Sequence, residues 1–109
     1  MPNNLLMSKL VRDGIPGIIR QDGREPEVRR IAGDQLKAAL REKLVEEALE
    51  LRDSDNLYEE LADVLEVVDA IVEAYGLDRG KLEVAKKEKH SRAGGFSEGY
   101  YLLDDKRKT

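Results

Sequence analysis

Five carboxylates in the middle of the chain have the residue types and spacing for metal chemistry: Glu46, Glu47 and Glu50, then Glu60 and Asp63. Residues three or four apart share one face of a helix, so each set would present its oxygens from a single helical surface. Spacing alone decides little, because the chain holds 23 Asp and Glu and acidic residues on helices are usually solvated. Wheel position is more informative. On a helix from Asn56 to Tyr75 the apolar residues, from Val67 and Ile71 through Leu57 to Leu65, fill an arc of about 180°. Glu60 falls inside that arc, between Val67 and Ile71, and Asp63 falls on its shoulder. Glu59, Glu66 and Glu73 repeat every seven residues on the opposite side, where solvated acids belong. On the preceding helix Glu46, Glu47 and Glu50 form a strip between the stripe of Leu36, Leu40, Leu44 and Leu51 and the pair Val45 and Leu49.

Carboxylates gathered in a partly buried cleft repel one another unless a cation neutralises them. An all-oxygen set suits Mg²⁺ or Mn²⁺, and Mg²⁺ usually keeps coordination positions open for water and substrate phosphate. A di-iron carboxylate bundle needs Glu-x-x-His pairs, and the single histidine, His90, lies well outside the acidic segments. The plainer alternative is that Glu60 and Asp63 pair with Arg or Lys in salt bridges between subunits.

The elements that must position these acids are helical. From Asp34 to about Arg52 there is no Gly or Pro, and Leu, Ala, Glu, Lys and Arg dominate. Ser54 and Asp55 read as a break and a new N-cap, and Gly76 ends the next helix. So short a break forces an antiparallel hairpin. Counting outward from Ser54 sets Glu50 opposite Glu60 and Glu47 opposite Asp63. Asp78 can cap a third helix that gives way at Gly94 and Gly95. Within it Lys81 to Arg92 carries five basic against two acidic residues. Lys86, Lys89 and Arg92, spaced by three, could meet phosphate oxygens, although basic charge at a helix C-terminus is also favourable in its own right. His90 reads as a surface residue.

Residues 1–33 hold all three prolines and four of the nine glycines, the composition of a cap. Within it Asp13 can cap a short helix through Ile15, Ile18 and Ile19, and 27–31 reads as a short extended segment. Lys9 and Arg12 are surface charges or further phosphate contacts. At the other end 96–103 is expected as an extended strand or loop packed back on the bundle, with Tyr100 and Tyr101 stacking on a base or simply packing, and 104–109 as a disordered tail.

With 109 residues the chain is expected to form a single all-α domain with little spare core. Helices that are apolar on two sides would bury the second side against an identical neighbour, giving a dimer or a tetramer. A net charge of −4 speaks against a nucleic-acid-binding surface. The chain has no Cys, hence no disulfide framework and no thiolate metal site. No apolar stretch approaches a membrane span, and Met1 to Leu10 lacks the features of a secretory signal, so the expectation is a cytoplasmic protein away from membranes.

Glu46-Glu47-Ala48-Leu49-Glu50 followed by Glu60-Leu61-Ala62-Asp63 resembles the EExxE…ExxD motif of the MazG-like all-α nucleoside triphosphate pyrophosphohydrolases. Lys9-Leu10-Val11-Arg12-Asp13 with Ile15-Pro16, and Arg92-Ala93-Gly94-Gly95-Phe96, are similar to flanking segments of its short phosphoribosyl-ATP pyrophosphohydrolase-like members. The resemblance implies Mg²⁺-dependent attack of water at an α–β phosphate linkage, giving a monophosphate and pyrophosphate. It implies Glu47, Glu50, Glu60 and Asp63 as metal ligands, with Glu46 positioning or deprotonating the water or helping to hold a second metal. Only nine residues separate Glu50 from Glu60, which implies a tight hairpin and a reduced pocket. The alternative is a non-catalytic helical binding or assembly module that keeps the fold.

Overall fold

The computed structural model describes residues 8–105, and among them it is all-helical, without strands. Four helices follow in order: α1 (Ile15–Gln21), α2 (Gly33–Asp53), α3 (Leu57–Ala74) and α4 (Arg79–Ala93). The chain divides into two compact units, Met1–Leu77 and Asp78–Thr109. Among the described residues only the first contains buried side chains.

In the first unit α2 and α3 pack together as the expected hairpin. Its turn is a small network of side-chain caps. Ser54 Oγ accepts from the Asn56 N–H at 3.0 Å, and Asn56 Oδ1 accepts from the Glu59 N–H at 3.3 Å. Asn56 Nδ2 in turn donates to Glu59 Oε2 at 2.8 Å, so the N-cap and the third helical residue hold each other in the manner of a capping box. The cap is therefore Asn56 and not Ser54 or Asp55, because three residues are needed to reverse the chain before the helix can start.

The far end of α3 closes in a Schellman motif. The Gly76 N–H donates to the Glu73 carbonyl at 3.1 Å and the Leu77 N–H to the Val72 carbonyl at 2.9 Å, with Gly76 at φ +62°, where a side chain is costly. There Tyr75 fastens α3 to the first half of α2. Its hydroxyl donates to the Lys37 carbonyl at 3.4 Å, and Lys37 Nζ and the Arg41 guanidinium lie 5.3 and 5.2 Å from its ring centre. With one end set by the turn and the other by Tyr75, the register of the hairpin is fixed.

The core is small. Leu40, Val67 and Val72 are the buried apolar residues, and Val64, Val68 and Ile71 are half-buried. The other part of the α3 arc, Leu57, Leu61 and Leu65, remains exposed, as do Val45 and Leu49 on α2. Both helices of the hairpin therefore keep exposed apolar side chains. Glu59, Glu66 and Glu73 are exposed, as their wheel position requires.

One local expectation needs correction. Asp13 does not cap α1; Gly14 occupies that position without a side-chain cap, and Pro16 starts the helix by its fixed φ. Residues 96–103 form a loop, one of the two expected forms, and Phe96, Tyr100, Tyr101, Leu102 and Leu103 are all largely exposed. In the second unit α4 does begin at the expected cap, with Asp78 Oδ1 accepting from the Lys81 N–H at 2.9 Å, and ends at Gly94. Of the expected disordered tail, 106–109 lies outside the described residues.

Candidate metal centre

Antiparallel pairing brings Glu47 of α2 against Glu60 and Asp63 of α3. One carboxylate oxygen from each lies within 4.8 Å of the other two. Glu47 is buried at 9% exposure, while Glu60 and Asp63 are half-buried. Glu47 can sit this deep because it lies about two turns beyond Leu40, on the face that α3 covers.

The donor set fits a hard divalent cation. All three ligand atoms are oxygens, and octahedral Mg²⁺ with oxygens at about 2.1 Å places neighbouring ligands roughly 3 Å apart and opposite ones roughly 4 Å apart. Small side-chain rotations close that gap from 4.8 Å. Three protein oxygens would leave about three of six positions for water or other ligands.

Cations of the chain partly balance these acids. Lys43, one turn before Glu47, reaches Glu46 Oε2 at 3.2 Å and Glu47 Oε2 at 3.4 Å, with the Lys43 and Glu47 side chains only 14% and 12% exposed. Arg12 donates from Nη2 to Asp63 Oδ1 at 2.6 Å, and its Nη1 lies 3.9 Å from Glu66 Oε1. Lys9 donates to Glu46 Oε2 at 3.4 Å. The Glu60 carboxylate makes no ion pair or hydrogen bond among the described residues.

Of the carboxylates singled out from the sequence, the structure thus gathers Glu47, Glu60 and Asp63. Glu46 stands beside them, tied to Lys43 and Lys9. Glu50 is exposed and outside the cluster, because it sits on the rim of α2 facing a cleft of about 740 Å³ lined by Ser8, Lys9, Leu10, Lys43, Glu46 and Leu49 among others. Lys9 and Arg12 are in contact with carboxylates instead of standing free. Lys86, Lys89 and Arg92 belong to the second unit, exposed on α4, where Lys86 and Lys89 line a cleft of about 440 Å³ with His90, Gly94, Gly95 and Phe96.

Sequence reasoning missed Lys43. Its signal was present, a Lys four residues before Glu47, but such pairs are common on helices and the burial that makes this one matter depends on α3. The Arg12 to Asp63 contact spans 51 residues and has no local signal.

No family model matches the chain, and no solved structure matches it. An uncharacterized protein of Mycolicibacterium smegmatis is similar, 51% identical over 49 residues. That stretch is 45% of this chain and 50% of the relative, so the match spans about half the length of each.

Proposed function

We propose that this protein is a metal-dependent nucleotide pyrophosphohydrolase that cleaves a nucleoside triphosphate, or a phosphoribosyl-ATP-like nucleotide, between the α and β phosphates. The observation that carries the reading is the convergence of Glu47, Glu60 and Asp63 from two antiparallel helices, in the order that the EExxE…ExxD resemblance implies. These three carboxylates would hold Mg²⁺ or Mn²⁺. A bound divalent cation supplies positive charge for the phosphate oxygens, which is most of what phosphoryl chemistry asks of a site.

The chain's own groups do the rest. Glu46 is held between Lys43 and Lys9 next to the cluster, which suits it to orient a water by accepting its proton in a hydrogen bond. In the second unit, exposed Lys86, Lys89 and Arg92 are cations of the kind that phosphate oxygens would meet. The exposed Leu57, Leu61 and Leu65 on α3, and Val45 and Leu49 on α2, support a homodimer or homotetramer in which further copies cover these side chains. No helix among the described residues is long and apolar enough to cross a membrane, which accords with a cytoplasmic enzyme acting on small nucleotides.

The decisive assay is pyrophosphate release from a panel of standard and modified nucleotides with Mg²⁺ or Mn²⁺. Release with at least one of them is expected; none with any, phosphoribosyl-ATP included, overturns the reading.

A second reading has its own support. Glu46, Glu47 and Asp63 already have cationic partners, as a purely structural charge network would, and this favours a non-catalytic binding or assembly module. Titration with Mn²⁺ separates the two. Under the enzyme reading wild type binds and Glu60→Gln does not, whereas under the structural reading neither binds.

A further inference from the structure

The two cations that touch the cluster share a feature. Each also has a carboxylate outside it. Lys43 contacts Glu47 inside and Glu46 outside, at 3.4 and 3.2 Å. Arg12 contacts Asp63 inside, with Glu66 outside at 3.9 Å. Three gathered carboxylates thus carry two internal positive charges, and Glu60 is the one without a partner. We infer that Lys43 and Arg12 are resident counter-ions of the metal centre, which a divalent cation displaces onto Glu46 and Glu66. The inference rests on the metal-binding reading above and deepens it.

The physical case is strongest for Lys43. A lysine with a side chain 14% exposed needs a carboxylate partner, since an unpaired ammonium at that depth is costly. A metal on Glu47 would ordinarily strand it. Here it would not, because Glu46 Oε2 is already the nearer of its two partners, and the ammonium keeps one ion pair while losing the other. Without metal, the same lysine relieves the repulsion that Glu47 would feel from Glu60 and Asp63 and lets the hairpin close. Arg12 plays the corresponding part at Asp63 with a side chain 53% exposed, so its electrostatic effect is weaker. Both cations repel an incoming divalent ion, and their presence lowers its affinity. This has a sign that a merely structural role does not share: removing a counter-ion should weaken the metal-free fold and strengthen metal binding.

The test is calorimetric titration of the full chain with Mn²⁺ alone at fixed ionic strength, together with melting temperatures with and without Mn²⁺. Lys43→Met is expected to melt lower than wild type without metal and to bind Mn²⁺ with a dissociation constant about tenfold smaller. Its Mn²⁺-induced rise in melting temperature should exceed that of wild type. Lys43→Arg, which keeps the charge, should behave as wild type. Arg12→Gln alters an exposed side chain and keeps the protein folded even if Lys43→Met does not; it should tighten binding by about threefold. If wild type binds Mn²⁺ but Lys43→Met and Arg12→Gln bind it equally or more weakly, the counter-ion role is overturned and the metal centre stands. If no variant binds Mn²⁺ at all, the metal centre falls and this inference with it.

Discussion

The hairpin of the first unit and the single helix of the second begin in the same way. Asn56 starts α3 and Asp78 starts α4, each by a side-chain oxygen that accepts from the N–H three residues on. Their fates differ in burial. The hairpin encloses Leu40, Val67, Val72 and one glutamate, while no described residue between Arg79 and Tyr100 is buried. They differ in charge as well: residues 1–77 hold 17 acidic and 10 basic side chains, net −7, and residues 78–109 hold 6 and 9, net +3. The contrast separates two requirements. Capping and composition suffice to define a helix, but a site of buried, closely spaced carboxylates needs a second helix to exclude water on one side.

Truncating the hairpin core should give the largest effect. Leu40→Ala should cost about 2–5 kcal/mol in denaturant unfolding, while Leu82→Ala, at a half-exposed position on α4, should cost less than about 0.5 kcal/mol. A comparable loss at both would show that the second unit has a core of its own. Next in size are the stops and starts of α3. Gly76→Ala forces a side chain into φ +62° and should cost about 1 kcal/mol. Asn56→Ala should cost about 1 kcal/mol of hairpin stability, measured by thermal unfolding, whereas Asp78→Ala should reduce helicity by circular dichroism and leave the hairpin melting temperature unchanged. The smallest effect belongs to the ion pairs at the surface. Arg12→Ala should cost under about 1 kcal/mol, and 0.5 M salt should erase most of the difference from wild type. A salt-independent loss would mean that Arg12 acts by packing.

The fold was more legible than the site. Helix composition from Asp34 to Arg52, the reversal near Ser54 and the stop at Gly76 are local features, and all three appear in the structure within a residue or two. Local signals failed where several residues could serve the same role. Asp13 was a good cap on paper, yet Pro16 starts α1 from Gly14 without one. The apolar side chains from Phe96 to Leu103 are largely exposed, since hydrophobicity makes burial favourable without itself supplying the partner surface.

The chain's own order of residues was enough to single out Glu60 and Asp63 as acids in unfavourable positions for solvation, because helical periodicity is a local property. It also dictated that α2 and α3 must run antiparallel, since three linking residues permit little else. Which acids meet was settled by packing. Counting from the turn paired Glu50 with Glu60, but the register held by Tyr75 and by the core brings Glu47 to both Glu60 and Asp63 and leaves Glu50 on the rim. The cations that make such a gathering tolerable, Lys43 one turn away and Arg12 half the chain away, could be recognised only once both helices and the N-terminal segment were in place, because charge pairing depends on distance and burial and neither is encoded locally.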